Sequence, residues 1–179
     1  MENETRKAMD ELMFMSHTID DFRSFFQEDK EMATFLVGET INKALELVSG
    51  NLECCNIHVE INSKENVSTI GYQNEYSQAL LNIISNARSA CIERCVVEPR
   101  IVIRITSESG RSVVCISDNC GGIPNEIMPK IFDPYFTTRG PDKGTGIGLY
   151  MSKVIIEQRM GGHLTVRNIN DGAEFRIEV

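Results

Sequence analysis

Two asparagines that lie four residues apart are the first side chains in this 179-residue sequence whose spacing suggests a chemical role. Asn82 and Asn86 occur in LLNIISNARSA, where apolar residues recur at helical spacing. A separation of four places both amides on one face of a helix. Such amides are either satisfied by backbone groups or water, or they supply oxygen ligands to Mg²⁺ beside bound phosphates. Taken alone, the pair favours the first interpretation.

An aspartate that ends an apolar strand and is followed by two adjacent glycines forms the second cluster, DNCGGIP. Asp118 either shapes the turn or accepts a hydrogen bond from a ligand group such as an exocyclic amine. Gly121 and Gly122 permit a positive φ and let a flat ligand approach the backbone closely. By itself this segment indicates only a turn.

A glycine-rich segment that opens a helix is the third cluster, GTGIGL, and its members are Gly144, Thr145, Gly146, Ile147, Gly148 and Leu149. Glycines at a helix N-terminus expose N–H groups and the positive end of the helix dipole, which suits phosphate. The preceding loop, FTTRGPDK, adds the cations Arg139 and Lys143. The segment is not a P-loop, since no GK[ST] follows, and it is not a dinucleotide-binding GxGxxG after a strand.

Helical and strand patterns surround these clusters and must position them. Apolar residues at helical spacing predict helices over 39–49, 75–95, 125–131 and 147–160. Alternating polarity predicts strands at NIHVEIN, RIVIRITSES, SVVCISD, HLTVRNI and AEFRIEV, with VSTIGY paired to NIHVEIN. A sheet in one layer and helices in the other define an α+β fold, a two-layer α/β sandwich.

The first thirty residues carry a separate pattern. Apolar residues spaced four and three apart form a heptad seam, comprising Ala8, Leu12, Met15, Ile19, Phe22 and Phe26. The seam is shorter than three heptads, so it fits an amphipathic helix docked on its own domain or the end of a coiled-coil or bundle stalk. The polar QEDKE that follows is typical of a linker. The predicted domains are therefore 1–30, helical, and 31–179.

The amino-acid composition limits the classes of partner that this chain is expected to bind. The net charge of −8 argues against nucleic acid as the main partner. No apolar run approaches the ~20 residues of a membrane-spanning helix. Six cysteines at 54, 55, 91, 95, 115 and 120 form no CxxC pair, so zinc and a secreted disulfide framework are both disfavoured. We expect reduced thiols and a cytoplasmic domain.

The three clusters, in this order and within about 70 residues, together resemble the Bergerat ATP-binding fold of sensor histidine kinases, gyrase, the ninety-kilodalton heat-shock chaperone and the mismatch-repair ATPases. The segment IFDPYFTT is most similar to the phenylalanine box of the histidine kinases. Residues from about 35 to 179 thus resemble a histidine-kinase catalytic and ATP-binding domain. The resemblance implies a mixed, mainly antiparallel sheet, with ATP and Mg²⁺ as cofactors.

The resemblance also implies roles for individual residues. Asp118 would accept the adenine amino proton, and Gly122 would let the purine lie against the backbone. Asn86 would ligate the Mg²⁺ bound to the phosphates, with Asn82 supporting it one turn earlier. The loop from Thr137 to Lys143 would be a mobile lid, and the glycines at 144, 146 and 148 would wrap the phosphates, with Lys143, Arg139 and Arg88 as candidate phosphate cations.

Two positions depart from the family pattern. Cys120 stands where the family often has the middle glycine of DxGxG, and it is either an inert small residue, which we favour, or a nucleophile near adenine. Ala173 replaces a hydroxyl residue often found near the adenine-bound water, which puts that contact in doubt.

Transfer is favoured over hydrolysis. Gyrase-like relatives carry a glutamate base one turn before the metal asparagine, whereas Asn82 is an amide that takes no proton at neutral pH. Phosphoryl transfer depends mostly on positioning and charge neutralisation, with Asn86 and Lys143 as the expected catalytic groups.

The acceptor histidine is expected outside this chain. Among the three histidines, His58 and His163 fall in or at strands, and His17 lies in HTIDDFRSFF, which lacks the acid, the base and the proline of the family acceptor box. The helix carrying His17 instead matches the second helix of the dimerisation hairpin.

These expectations combine into one interpretation: the ATP-binding catalytic domain of a two-component sensor histidine kinase. Its partners would be ATP or ADP, its own dimerisation helices and a response regulator receiver domain, and it would form a homodimer only in the intact protein, which could be membrane-anchored. The alternatives are an anti-sigma-type serine kinase, which the heptad helix argues against, and a nucleotide-sensing interaction domain without transfer activity.

Overall fold

A computed structural model of the protein describes residues 31–63, 66–139 and 144–179. The predicted heptad helix, His17 and the predicted boundary near residue 30 lie outside or at the edge of this range. The domain division therefore stays a prediction. Lys143 also lies outside the described residues.

The elements follow the predicted alternation. In chain order they are β1 (Ala33–Leu36), α1 (Val37–Glu53), β2 (His58–Ser63), β3 (Ser68–Gly71), α2 (Gln73–Glu93), β4 (Arg100–Glu108), β5 (Arg111–Asp118), a 3-10 turn (Met128–Lys130), α3 (Gly148–Lys153) continued by a π-helical segment (Val154–Arg159), β6 (His163–Ile169) and β7 (Gly172–Glu178).

Five strands form the main sheet, in the order β2-β4-β5-β7-β6. β2 and β4 run parallel, and the remaining pairs are antiparallel. A parallel pair requires a long crossover, and α2 lies within the segment that connects β2 to β4. The predicted α+β sandwich with a mixed, mainly antiparallel sheet is thereby confirmed.

The core lies between the sheet and the helices. Along β4, Ile101, Ile103 and Ile105 are buried while Arg100 and Arg104 are exposed, which is the alternation of a strand with one covered face. Along α2, the buried side chains recur every three or four residues, as in Tyr76, Leu80 and Ile83. The two periodicities bury apolar side chains from both layers in one cluster.

Two local predictions were wrong. β3, within VSTIGY, pairs with β1 in a separate two-stranded sheet and not with β2. β1 escaped the sequence analysis because it has four residues and leads directly into α1. The predicted helix over 125–131 is a single 3-10 turn, since Pro129 has no N–H to donate and cannot sit in a helix interior.

One buried polar group in the core gives a stability test. Tyr76 is fully buried, and its hydroxyl has no hydrogen-bond partner among the described residues. Burial raises the pKa of this phenol well above its ordinary value, because the charged form is excluded from an apolar site. A buried donor without a partner costs roughly 1–3 kcal/mol.

Tyr76→Phe is therefore expected to raise the free energy of unfolding by about 1 kcal/mol, because it removes the buried hydroxyl. The substitution keeps the aromatic ring, whose centroid lies 5.4 Å from that of Phe35. Urea denaturation measures the change, with the exposed Tyr135→Phe as the matched control. A loss of stability on Tyr76→Phe would mean that the hydroxyl does have a partner.

Candidate functional site

One pocket lies between α2, the turn after β5 and the loop before α3. Its lining residues come from α2 and the residue after it (Asn86, Ala87, Ala90, Glu93, Arg94), the turn (Asp118, Gly122, Ile123, Pro124, Ile127), the loop and start of α3 (Ile131, Phe136, Thr137, Thr138, Arg139, Leu149) and β7 (Ala173, Phe175). The interior is largely aliphatic and aromatic, with a few polar groups at defined points. This composition is typical of a site for a flat organic ligand with polar ends.

Asp118 is the partly buried acid of this pocket. Its Oδ1 accepts hydrogen bonds from the N–H groups of Cys120, at 2.8 Å, and Ala173, at 3.4 Å. Burial raises the pKa of the Asp118 carboxyl, while the two N–H groups and the charge of Arg94 act in the opposite direction. The backbone thus holds the carboxylate in place through Oδ1. Neither of these hydrogen bonds uses Oδ2, which can accept from a further donor.

The adjacent glycines after Asp118 are both required by the backbone. Gly121 has φ +83° and Gly122 has φ +71°, a region that other residues rarely adopt. A Cβ on Gly122 would lie 2.8 Å from Oδ1 of Asn168. That amide fastens the turn, since it accepts from the N–H of Ile123 at 2.8 Å and donates to its carbonyl at 2.7 Å. The double glycine therefore lets the chain turn tightly beside the acid.

Asn82 joins α2 to the start of α3. Its amide nitrogen donates to the carbonyl of Gly148 at 3.1 Å and to the hydroxyl of Ser152 at 3.3 Å. The buried Ser152 hydroxyl in turn donates to the Gly148 carbonyl at 3.0 Å. Asn82 is therefore held by structural hydrogen bonds and positions the glycine-rich segment against the helix that carries Asn86.

The cations at the pocket are arranged differently from the prediction. Arg139 lines the pocket, and its Nε donates to Glu93 at 2.8 Å. Arg88 does not line it, because its Nε donates to the carbonyl of Asn51 at 3.2 Å. Arg94, which the sequence analysis missed, lines the pocket and donates to the carbonyl of Cys120.

Helical spacing explains these differences. Glu93, the last residue of α2, and Arg94, the residue directly after it, lie seven and eight residues after Asn86, which is about two helical turns along the same face. Arg88 lies only two residues after Asn86, which turns it to another face. The same periodicity that paired Asn82 with Asn86 could have found Arg94 and excluded Arg88.

The structure brings five predicted site residues to the pocket: Asn86, Asp118, Gly122, Arg139 and Leu149. Asn82, Gly144, Thr145, Gly146, Ile147 and Gly148 do not line it in this structure. Gly144 lies beside Thr137 and Arg139, and a Cβ on Gly146 would lie 2.4 Å from the backbone of Tyr135. These glycines therefore pack the start of α3 against the loop that forms one pocket wall.

The expectation of reduced thiols was wrong for two of the cysteines. Cys91 of α2 and Cys120 of the turn form a disulfide, and both are buried. Spacing along the chain gave no sign of this pair, because 29 residues separate its members. Cys54, Cys55, Cys95 and Cys115 are free.

Comparison with known proteins places this geometry in a family. Residues 71–179 match the family described as histidine kinase-, DNA gyrase B- and HSP90-like ATPases. The catalytic domain of the histidine kinase ThkA superposes with a TM-score of 0.73 and 28% identity, over 83% of this chain and 97% of that domain.

Curated relatives include the sensor histidine kinase ZraS of Escherichia coli O157:H7, 34% identical over 76% of this chain and 29% of that protein. The two-component sensor PprA of Pseudomonas aeruginosa is 34% identical over 61% of this chain and 12% of its own length. The chain spans between 12% and 30% of the length of such relatives.

The chain belongs to the family of histidine kinase-, DNA gyrase B- and HSP90-like ATPases, and its domain is the ATP-binding catalytic domain of the sensor histidine kinase type. Across residues 31–63, 66–139 and 144–179, no helix is long and apolar enough to cross a membrane.

The burial of Asp118 generates a prediction about pH and stability. Because the pKa of this carboxyl is raised on folding, its ionisation costs the native state stability at pH values above the raised pKa. The cost disappears as the pH falls through the raised pKa towards the ordinary value. Asp118→Asn keeps an oxygen for the two N–H groups and removes the charge.

We therefore expect Asp118→Asn to melt at the same or a higher temperature than wild type at pH 7, with the difference shrinking as the solution is acidified. Thermal unfolding followed by circular dichroism between pH 7 and pH 4 measures this, with the exposed Asp171→Asn as control. A clearly lower melting temperature at pH 7 would show that the charge itself stabilises the turn.

Proposed function

We propose that the pocket binds Mg·ATP and that the intact protein transfers the γ-phosphoryl group to a histidine. The observation that supports it is the convergence of Asn86, Asp118 and Arg139 on one largely apolar pocket. Each of these groups suits a different part of Mg·ATP. The Asn86 amide would bind the cation, the Asp118 carboxylate would accept from the adenine amine, and the Arg139 guanidinium would bind phosphate.

The adenine end is assigned to Asp118 and its surroundings. The carboxylate accepts the exocyclic amine, while Ile123, Leu149 and Phe175 supply apolar surface for the purine. Gly122 lines the same end of the pocket through its backbone alone. A guanine, which carries a carbonyl in place of the adenine amine, would present an acceptor to an acceptor and bind poorly.

The phosphate end is assigned to Asn86, Arg139 and Lys143. The amide oxygen of Asn86 suits Mg²⁺, a hard cation that takes few protein ligands when phosphates are present. The described residues contain no cluster of three or more His, Cys, Asp or Glu side chains that could hold a metal by themselves. The cation would therefore be held jointly by Asn86 and the nucleotide, where it neutralises phosphate charge.

Phosphoryl transfer is favoured over hydrolysis by the hydrogen bonds of Asn82. Its amide is occupied in joining α2 to Gly148 and Ser152, and an amide accepts no proton at neutral pH. The residue at the position where a water-activating base would stand is thus an amide that makes a structural contact. What the protein supplies is position and charge, which is what phosphoryl transfer requires.

The wider assignments follow from the relatives. We propose that the acceptor histidine lies outside this chain, that residues 1–30 contribute the second helix of a dimerisation hairpin, and that a receiver domain accepts the phosphoryl group from the intact homodimer. The histidine kinase ThkA has been solved in complex with the response regulator protein TrrA. An anchored cytoplasmic kinase domain is the arrangement we infer for the intact protein.

Asn86→Ala is expected to remove the magnesium-dependent part of nucleotide affinity and to leave binding in chelator nearly unchanged. Titration calorimetry with ADP and a non-hydrolysable ATP analogue, with Mg²⁺ and with EDTA, measures both parts. Asp118→Asn is the comparison variant, and it should weaken binding at least about 100-fold in both conditions, roughly 2.7 kcal/mol. Equal losses for Asn86→Ala in the two conditions would remove Asn86 from the metal.

Incubation with γ-labelled ATP is expected to leave this chain unlabelled. A longer product of the same gene that includes the residues preceding residue 1 should become labelled, with the acid-labile, base-stable character of phosphohistidine. Labelling of the 179-residue chain that disappears in His17→Ala would identify His17 as the acceptor and overturn the assignment. Binding of nucleotide without labelling in the longer chain would favour the nucleotide-sensing interaction domain.

A further inference from the structure

The disulfide between Cys91 and Cys120 connects the two sides of the nucleotide pocket. Cys91 lies five residues after Asn86 on α2, and Cys120 lies between Asp118 and Gly122 in the turn. The two Cα atoms are 4.8 Å apart. The bond thus fixes the distance between the helix that carries the proposed metal ligand and the turn that carries the adenine acceptor.

A second contact joins the same two segments. Arg94, which directly follows the last residue of α2 and lies three residues after Cys91, donates to the carbonyl of Cys120. The carboxylate of Asp118 accepts from the N–H of the same residue, at 2.8 Å. The backbone of Cys120 is therefore bonded to the acid on one side and to α2 on the other, so any shift of Cys120 relative to α2 reaches Asp118 directly.

A second, small cavity borders one member of the disulfide, Cys91. Its lining residues include three cysteines, Cys55, Cys91 and Cys95, together with Ile57, Ile92, Val96 and Pro99. Cys95 is exposed and Cys55 is partly exposed, and both are free thiols. The disulfide is buried, but one of its members borders a cavity that is also lined by two free thiols.

We propose that Cys91 and Cys120 form a reversible redox pair that controls nucleotide affinity, with small-molecule disulfides and thiols as its exchange partners. This inference rests on the proposed function, since it assigns regulation to the same nucleotide pocket. Thiol–disulfide exchange needs only a thiolate and a disulfide sulfur that it can reach, and the cavity beside Cys91 provides the approach.

The exchange balances as two displacements. The Cys91 thiolate attacks a small disulfide, its S–S bond breaks, and one small thiolate leaves. The Cys120 thiolate then attacks the sulfur of Cys91, forms the Cys91–Cys120 bond and releases the second small thiolate. Two protons pass from the cysteines to the departing thiolates, and two electrons reduce the small disulfide to two thiols. Reduction of the pair is the reverse sequence.

The effect on the pocket follows from atomic size. Bonded sulfurs lie about 2.05 Å apart, whereas unbonded heavy atoms need roughly 3.5–4.0 Å. Reduction in a packed interior must therefore move Cys120 away from α2 or rotate both side chains. Either movement disturbs the turn that holds Asp118. The oxidised form has the pocket already assembled, and a preorganised site binds more tightly because less ordering is required on binding.

The test compares the oxidised and reduced forms of the complete 179-residue chain. The chain is equilibrated in buffers of varied reduced-to-oxidised glutathione ratio, quenched with iodoacetamide and digested with trypsin. Cleavage yields residues 89–94, with Cys91 as the one cysteine, and residues 112–130, with Cys115 and Cys120. Mass spectrometry should detect these two peptides linked in oxidising buffers and separately alkylated in reducing ones, with half conversion at intermediate ratios.

Calorimetric titration with Mg·ADP on the same two forms provides the second measurement. We expect the reduced form to bind at least about threefold more weakly. The double variant Cys91→Ser, Cys120→Ser should bind like the reduced form and ignore the buffer. Cys115→Ser and Cys95→Ser are the matched controls, and both should keep the redox response, with the 89–94 peptide still linked in the first.

The outcomes separate the inference from the proposed function. Mg·ADP binding that agrees within twofold in both forms would overturn redox control and leave the nucleotide site intact. A pair that stays linked, or stays reduced, at every glutathione ratio would overturn reversibility and identify a permanent staple or a pair of inert thiols. Absence of Mg·ADP binding in both forms would overturn the proposed function and, with it, the control of affinity.

Discussion

The position of one carboxylate, that of Asp118, determines how the pocket is built. The acid ends β5, and its oxygen is held by N–H groups from the turn that follows and from β7. Burial disfavours the charged form of this carboxylate. The two backbone N–H groups and the charge of Arg94 offset only part of that cost, because the pKa stays raised. A charged acceptor with incomplete compensation is poised to take one more donor. In this chain the acid lines a largely apolar pocket, where a ligand could bring that donor.

Helix α2 provides the other half of the arrangement. It carries Asn82, Asn86 and Cys91, and Arg94 directly follows its last residue. Asn82 contacts the start of α3, Asn86 lines the pocket, and Cys91 and Arg94 both contact Cys120. The helix is the long crossover that the parallel pairing of β2 with β4 requires. The topology of the sheet thus places a rigid element beside the turn of Asp118, and sites on helices are held more precisely than sites on loops.

The sequence was sufficient for the features that depend on local periodicity. Strands β4 to β7 and helix α2 were predicted because alternation or helical spacing persists over seven or more residues in each. The short β1 and the partner of β3 were missed because a four-residue strand carries no periodicity of its own. The disulfide, the Arg94 contact and the displacement of Arg88 depend on how distant segments meet. Helical spacing could have corrected only the two arginines.

The ion pair between Arg139 and Glu93 indicates which contact a bound nucleotide would replace. Glu93 lies near the end of α2 and is half-exposed, so its attraction for Arg139 is weakened by solvent and contributes little to stability. A nucleotide phosphate carries more charge than one carboxylate and accepts a guanidinium in bidentate geometry. Arg139 would therefore exchange Glu93 for phosphate when the pocket fills. The pair keeps the arginine at the pocket edge, where a nucleotide phosphate would reach it.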